Sequence, residues 1–327
     1  MLIRIVKNYK DSYRDYSPNK SMQWDGFTFT EEDIKECDFV VVLNTPKKDV
    51  KVKCNPDNVM AIMQEPFHLG DTDWMDKQLD KYRYVLTNHK PSMTPKRAEI
   101  IPSHGALHWY VQKSYDELQS MTIPPEKTKV ISCIASSLTR WPGHKKRVEF
   151  VEFLKENNVL NIDFYGKGTN FLEDKWDGVA SYKYSIVIEN SELDDYWTEK
   201  ITDAYLGFTL PFYFGCTNID KYFPKDSYIW IDITNPENAL KTMQNAIENN
   251  EWEKRLEAIE NARKLVLDRY NLFPLVVNFI KTHQNQGEKK KITISAYKYT
   301  LKERVVRYIQ RKKNRLLKIK QRLGFAK

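Results

Sequence analysis

The sequence predicts an α/β protein of two doubly wound domains, each a largely parallel sheet covered by helices. Two series of short apolar runs support this prediction. The first series contains LIRIV (2–6), FVVVL (39–43), VMAIM (59–63) and YVL (84–86). The second contains VISCIA (130–135), NIDFYG (161–166), SIVIE (185–189), LPFYF (210–214) and YIWI (228–231). Unbroken β-rich runs of this kind are typical of strands buried on both faces of a parallel sheet.

Helical patterns separate the runs of the second series. KKRVEFVEFL (145–154) has its apolar residues at helical spacing, and TEKITDAYLG (198–207) ends on a glycine typical of a helix C-terminus. We place the domain boundary in the proline-containing stretch YDELQSMTIPPEKT (115–128). The predicted units are an N-terminal domain over 1–125, a C-terminal domain over 126–285, and a linker with a basic tail over 286–327.

Composition indicates a globular protein. The chain has 327 residues, 41% of them hydrophobic, which is enough to bury two cores. Its four cysteines lie far apart in no paired spacing, which predicts reduced, buried thiols rather than a disulfide framework or a zinc site. No run approaches the roughly 20 apolar residues of a membrane span, and the N-terminus does not resemble a secretory signal. We therefore expect a cytoplasmic protein.

The net charge of +8 is concentrated in the tail. Residues 300–327 contain eleven Lys or Arg and one Glu, a charge of +10, which leaves −2 for residues 1–299. Apolar residues recur there at helical spacings: Leu301, Val305, Ile309, Leu316, Ile319 and Leu323. This pattern predicts a basic amphipathic helix on the anionic inner leaflet of a membrane, with a solvated or disordered tail as the alternative.

A non-enzymatic role, nucleic-acid or membrane binding through the tail, is the alternative of another functional class. The body of the chain is slightly acidic and has neither a basic stripe nor an aromatic RNA-binding motif. We therefore expect no nucleic-acid partner.

The stretch YKYSIVIENSELDDYWTEK (182–200) is the main candidate for a binding site. If SIVIE is a strand and Thr198 begins a helix, the loop between them lies at the carboxyl end of a strand and leads into a helix N-terminus. The unpaired N–H groups and partial positive charge of such an end favour a phosphate group. Lys200 would add a full positive charge.

The other polar side chains of this loop suit sugar hydroxyls. Glu189 and Glu199 are candidate acceptors for sugar or ribose hydroxyls, and Asn190 and Ser191 offer further polar contacts. An ordinary capped helix after a solvated charged loop is an equally good interpretation of the spacing. The adjacent aspartates at 194–195 are more typical of a helix cap than of a metal site, so we predict no metal.

The segment YKYSIVIENSELDDYWTEKITDAYLGFTLPFYFG (182–215) resembles the signature of the α-1,3-fucosyltransferases of glycosyltransferase family 10, bacterial type. The positions in register are Tyr182, Lys183, Glu189, Asn190, Ser191, Asp195, Tyr196, Thr198, Glu199, Lys200, Pro211 and Gly215. Shorter resemblances occur in the family's order at 64–71, 100–105 and 147–168. They match at Glu65, Pro66, His68, Pro102, Gly105, Arg147, Leu154, Asp163, Tyr165, Gly166 and Gly168.

The resemblance implies a GT-B fold, in which two Rossmann-like domains face a cleft. It implies an inverting transfer of L-fucose from GDP-fucose to a hydroxyl of an N-acetylglucosamine or glucose residue in a glycan, in the synthesis of cell-surface polysaccharide or lipopolysaccharide. It implies no cofactor and no metal. The diphosphate and ribose contacts do not identify a hexose, so a GT-B enzyme using a different GDP-sugar is the alternative. We expect the enzyme to associate peripherally with the inner membrane through the tail.

The resemblance also assigns roles. Glu65, which follows VMAIM, is the expected catalytic base. Arg147 and Lys200 are expected to hold the diphosphate, and Glu199 the ribose hydroxyls. The other expected donor-site residues are Tyr165, Gly166, Glu189, Asn190, Ser191, Tyr196 and Thr198. His68, His104 and Trp109 are expected on the acceptor side, with packing as the alternative for His104 and Trp109.

Overall fold

A computed structural model of the chain describes residues 1–68, 72–139, 141–166 and 170–301, together with 303–306, 308, 309 and 312. The strands are β1 (Leu2–Val6), β2 (Gln23–Trp24), β3 (Phe27–Thr30), β4 (Phe39–Leu43), β5 (Val50–Cys54), β6 (Val59–Ile62), β7 (Tyr84–Thr87), β8 (Glu99–Pro102), β9 (Lys129–Ile134), β10 (Asp163–Tyr165), β11 (Tyr182–Ile188), β12 (Leu210–Phe214), β13 (Ile229–Trp230) and β14 (Lys290–Ile294).

Helices occur mainly in the second half of the chain. They are α1 (Tyr115–Ser120), α2 (Pro142–Glu156), α3 (Glu199–Leu206), α4 (Pro236–Glu248), α5 (Glu251–Lys254), α6 (Leu256–Leu265) and α7 (Leu272–His283). Short 3₁₀ turns lie at Arg14–Tyr16, Pro18–Lys20, Asp76–Lys81, Lys175–Gly178, Ile219–Lys221 and Lys225–Ser227, and Val266–Tyr270 is π-helical.

The first sheet has the order β2-β3-β1-β4-β6-β7-β8, and every neighbouring pair is parallel except β2 and β3. Its central strand β4 is buried along its whole length. Phe39 and Val41 enter the core on one face, and Val40 and Val42 enter the core on the other. Because both faces are covered, the strands are continuously apolar, which is why the sequence predicted them correctly.

The chain returns to this first sheet at its C-terminal end. Helix α7 buries Phe273 and Ile280 in the core on one face. Strand β14 pairs antiparallel with β5, and Ile294 packs in the core on the other face. The prediction assigned residues 126–285 to the C-terminal domain, whereas α7 lies within that range and packs on the first sheet. The predicted linker and tail, 286–327, contain the strand β14. Lys, Glu and Gly dominate QGEKKK (286–291), so only the alternation that starts at Ile292 could have indicated β14.

The second sheet is parallel throughout, in the order β10-β9-β11-β12-β13. The helical patterns at 145–154 and 198–207 are confirmed as α2 and α3. Trp109, Val111 and Leu118 already pack in the second core. The chain therefore enters the second core before the predicted boundary.

The remaining sequence expectations have mixed outcomes. All four cysteines are buried, as predicted, and each is a free thiol. In the described ranges no helix is both long and apolar enough to cross a membrane. Leu301, Val305 and Ile309 are helical and exposed, whereas Leu316, Ile319 and Leu323 lie outside the described residues, as does Gly168.

Candidate active site

A buried carboxylate organises the loop after β11. The Glu189 side chain is fully covered (0% exposed). It accepts hydrogen bonds from the Thr198 backbone N–H (2.8 Å), the Thr198 hydroxyl (2.8 Å) and Lys200 Nζ (3.1 Å). The Thr198 hydroxyl also accepts from the Lys200 N–H as the N-cap of α3. Glu189 and Thr198, predicted to contact the donor, instead position the start of α3 from within the protein.

Gly215, at the end of β12, leaves the space that Glu189 occupies. Its φ is +154°, and a Cβ there would lie 2.5 Å from both Cβ and Cγ of Glu189. A side chain at this position would therefore displace the carboxylate that holds α3.

Lys200 and Glu199 are the charged residues of α3 that retain exposure, 21% and 14% of their side chains. Burial disfavours the Lys200 ammonium, but Glu189 and Glu199 outweigh this effect and hold its pKa above its usual value. Burial is likewise outweighed at Glu199, where Lys200 and Lys175 lower the pKa to about 2. Both groups are therefore charged at neutral pH. Lys175, 3.8 Å from Glu199, was missed because it comes from a distant 3₁₀ turn.

The start of α2 meets the same loop. Gly143, in the first turn, is so close to the loop that a Cβ would lie 2.1 Å from the Asn190 carbonyl oxygen. The N-terminus of α2 thus meets the loop at Asn190, the residue that follows Glu189, which holds the N-terminus of α3. Arg147 Nη1 donates to Asn190 Oδ1, and Nη2 donates to the Ser136 hydroxyl at 2.9 Å. Only 3% of Arg147 is exposed, so it braces the loop, and the expectation that its guanidinium faces a diphosphate is not matched.

His68 connects the two domains. Its ring stacks on Trp141, which precedes α2, with centroids 4.2 Å apart. Its Nε2 lies 3.3 Å from the Ser191 hydroxyl. His68 was predicted on the acceptor side, but the structure places it against the donor-side loops. Trp141 was missed in the sequence because nothing in WPG (141–143) indicates a contact with the other domain.

Tyr165 and Gly166 lie at the end of β10. The Tyr165 hydroxyl is 2.7 Å from that of Tyr182, which donates to Asp163 at 2.6 Å. Tyr182 and Asp163 lie at the N-terminal ends of β11 and β10, away from the loops at the carboxyl ends of the strands. The Tyr165 hydroxyl therefore points away from the predicted donor site. Gly166 has φ +148°, and a Cβ there would lie 1.9 Å from the Ala135 carbonyl oxygen, so this position requires glycine for the close approach of the two backbone segments.

Three predicted aromatic positions are packing residues. His104 is 1% exposed and stacks on Trp197 with centroids 4.2 Å apart. Trp109 is 2% exposed, and its indole N–H donates to the Lys113 carbonyl at 2.9 Å. Neither is open to an acceptor, which corrects that prediction. Tyr196 is 3% exposed and supports the loop from inside.

A cavity of about 460 Å³ lies at the carboxyl edge of the first sheet. Glu65, an exposed residue after β6, lines it together with Trp141 from the second domain. Asn44 and Gln64 form its polar part, and the Asn44 Oδ1 accepts from the Gln64 N–H at 2.8 Å. The cavity therefore joins the predicted base to the loop that begins α2.

The aspartates at 194–195 bind protein groups and cap no helix. Asp194 accepts from the Thr217 hydroxyl, and Asp195 accepts from Lys221 Nζ at 2.7 Å. Among the residues that the structure describes, no three His, Cys, Asp or Glu side chains are grouped to hold a metal ion.

Comparison with known proteins supports the family resemblance. Residues 124–255 match the model of "Glycosyltransferase family 10 (fucosyltransferase) C-term". The 4-galactosyl-N-acetylglucosaminide 3-alpha-L-fucosyltransferase 9 of Rattus norvegicus is 28% identical over 176 residues, which cover 49% of this chain and 48% of that protein. The corresponding fucosyltransferase FUT6 of Homo sapiens is 24% identical over 189 residues, covering 56% and 48%. The chain thus spans about half the length of these curated relatives.

Two solved structures share the fold. An alpha1,3-fucosyltransferase superposes with a TM-score of 0.51 at 15% identity, covering 92% of both chains. An alpha1,3-fucosyltransferase with GDP superposes with a TM-score of 0.52 at 17% identity, covering 88% of this chain and 91% of the other. The predicted GT-B fold and the resemblance to the family 10 fucosyltransferases are confirmed.

We expect Gly215→Ala to destabilise the second domain because the new methyl group overlaps Glu189. Overpacking typically lowers the free energy of unfolding by about 1–3 kcal/mol, in addition to the strain of the positive φ. Urea unfolding measures the change. Gly26→Ala is the matched control, since Gly26 also has a positive φ but would meet nothing within 4 Å. Equal losses in the two variants would contradict the packing role.

We expect His104 to make the protein less stable in acid. Burial lowers the pKa of His104 to about 3. Its Nδ1 accepts a hydrogen bond from the Ala106 N–H at 3.1 Å, so a proton on Nδ1 would point at the hydrogen of that N–H group. The free energy of unfolding that the neutral, buried His104 contributes is complete above the pKa of the unfolded state, near 6.5. It declines as the pH falls toward 3 and is lower by about 2 kcal/mol at pH 5. His104→Phe should reduce the difference in unfolding free energy between pH 7 and pH 5 by about this amount. An unchanged difference would refute the assignment.

Proposed function

We propose that this chain transfers L-fucose from GDP-fucose to a hydroxyl of an N-acetylglucosamine or glucose residue in a glycan, with inversion at the transferred carbon. The observation that carries this proposal is that Glu65 and Trp141 line one cavity, so a carboxylate of the first domain faces the loop that begins α2 in the second. The names of the sequence relatives, 3-alpha-L-fucosyltransferases, support the choice of sugar.

The donor diphosphate would lie beside Asn190, where the N-terminus of α2 meets the loop before α3. The N-terminus of α2 offers partial positive charge to an anion, and Lys200, 21% exposed at the start of α3, adds a full charge. Glu199, ionised and partly exposed, is suited to accept the ribose hydroxyls. Glu189 and Arg147 keep these groups in position without facing the donor.

The reaction is a direct displacement. The acceptor oxygen attacks C1 of fucose on the face opposite the diphosphate, while the bond from C1 to the diphosphate oxygen breaks and its electrons leave with GDP. Glu65 takes the proton of the acceptor hydroxyl. Lys200 and the helix termini stabilise the charge that develops on the leaving diphosphate. No step in this scheme is assigned to a metal ion.

We expect Glu65→Gln to reduce kcat by ~100-fold or more, the effect typical of a positioned base, while the affinity for GDP changes less than about twofold. Glu32→Gln, an exposed glutamate of the same domain outside the cavity, is the matched control. Turnover is measured as GDP release with N-acetyllactosamine or lactose as acceptor. Unchanged turnover in Glu65→Gln would remove Glu65 from the mechanism.

Two further arms of this assay test the donor and the metal. GDP-mannose replaces GDP-fucose in one arm, and faster transfer from it would favour a GT-B enzyme with a different GDP-sugar. EDTA is added in the other arm. Loss of activity that manganese restores would contradict the metal-free scheme.

The proposed cellular setting is the cytoplasmic face of the inner membrane, where the acceptor would be a lipid-linked precursor of cell-surface polysaccharide or lipopolysaccharide. Support comes from the start of the tail, where Leu301, Val305 and Ile309 are exposed by 79%, 49% and 58% at helical spacing among basic residues. Such a helix gains from both apolar insertion and attraction to anionic lipids.

We expect the full chain to float with vesicles that contain anionic phosphatidylglycerol, and a chain that stops after Thr300 to lose this binding. The truncation keeps β14, so Ile294 still packs in the core on one face of the first sheet. Neutral phosphatidylcholine vesicles are the control. A truncated chain that still floats with anionic vesicles would exclude the tail as the membrane contact.

A further inference from the structure

The segment after α7 is fixed firmly to the first domain. We name residues 284–301 the C-terminal strap. The Asn285 backbone N–H donates to Asn58 Oδ1 at 2.9 Å, and its carbonyl accepts from the side-chain amides of Asn55 and Asn58, each at 3.1 Å. Strand β14 then pairs with β5 over its whole length. The strap is thus held by a polar network and by a β-ladder.

Beyond β14 the strap is held on both sides of Tyr299. The Tyr297 N–H donates to the Thr45 hydroxyl at 3.2 Å, and Thr45 itself lines the cavity of about 460 Å³. The Tyr297 hydroxyl donates to Glu303 at 2.7 Å, and Lys77 forms an ion pair with Glu303 at 2.6 Å. These contacts place Tyr299 between two anchored points.

Tyr299 and Trp74 give the cavity an aromatic part. Both line it, and the Tyr297 ring connects them, with its centroid 6.4 Å from that of Trp74 and 4.9 Å from that of Tyr299. Polar residues after the ends of strands, Asn44, Gln64 and Glu65, also line the cavity, as do the aromatic residues Tyr9, Tyr110 and Trp141. The cavity therefore offers polar groups for sugar hydroxyls and aromatic rings for the apolar face of a sugar, with Tyr299 supplied by the strap.

We propose that Tyr299, from the C-terminal strap, is a specificity-determining residue that packs against the second sugar of the acceptor, the one next to the sugar that receives fucose. This inference rests on the proposed function. The reacting hydroxyl must lie within hydrogen-bond reach of Glu65. The neighbouring sugar of the acceptor then extends along the cavity, where the C–H face of its pyranose ring packs on Tyr299.

The test compares Tyr299→Ala, Tyr299→Phe and the control Tyr308→Ala in the full chain. Tyr308 is a tyrosine of the same C-terminal region, 61% exposed and outside the cavity. We expect Tyr299→Ala to raise the KM for N-acetyllactosamine by roughly three- to tenfold, the loss typical of one aromatic contact, with kcat and the KM for GDP-fucose within about twofold. Tyr299→Phe keeps the ring and should keep the KM.

The length of the acceptor provides the decisive comparison. With N-acetylglucosamine alone, the kcat/KM of Tyr299→Ala should match that of the wild type. An unchanged KM for the disaccharide, or an equal loss with the monosaccharide, would overturn the proposal. Tyr299→Phe also guards against a folding defect, since it retains the packing of Tyr299.

A binding readout separates this inference from the proposed function. Saturation-transfer NMR with N-acetyllactosamine needs no donor. Wild-type protein should saturate protons of both sugars, and Tyr299→Ala should lose saturation at the galactose. If no fucosyl transfer occurs with any acceptor but this pattern holds, the proposed function fails and the role of Tyr299 stands. If transfer occurs and saturation at the galactose is unchanged in Tyr299→Ala, only the role of Tyr299 fails.

Discussion

The hydrogen bonds and ion pair of the buried Glu189 are the interaction on which the second domain's site depends. A carboxylate without solvent is costly unless its charge and lone pairs are satisfied, and Thr198 and Lys200 satisfy them. This requirement fixes the start of α3, and the bare α-carbon of Gly215 makes room for it. The half-buried Lys200 and Glu199 are therefore positioned by a carboxyl group that is itself fully covered.

The arrangement of the cleft depends on the direction of the parallel strands in both domains. Parallel strands deliver their loops to one edge of each sheet, so Asn44 and Glu65 arrive together without being close in sequence. Trp141 and His68 then connect this edge to the loops of the other domain by stacking. The charged loop before α3 in the second domain thereby lies across the cleft from a cavity lined by both polar and aromatic residues.

Much of this arrangement was predictable from the sequence, for a physical reason. Strands buried on both faces, such as β4 and β12, are continuous apolar runs, and the polar loop after β11 was placed at a strand end by the apolar run before it and the helical pattern after it. Exposure was not predictable. Arg147, Glu189 and Thr198 are as polar as Lys200, yet burial makes them positioning residues, and burial depends on tertiary contacts such as that of Gly143 with Asn190.

The return of α7 and β14 to the first sheet has a consequence for the order of folding during synthesis. Until those segments are made, Phe39 and Val41 on one face, and Val40 and Val42 on the other, lack part of their cover. The strands of the second sheet all lie between residues 129 and 230, and its core is completed by residues up to Tyr270, just before α7. The N-terminal domain, although translated first, therefore closes only after α7 and β14 are made, and its long sequence separations make that closure slow. Until then its sheet exposes apolar strands of the kind that aggregate.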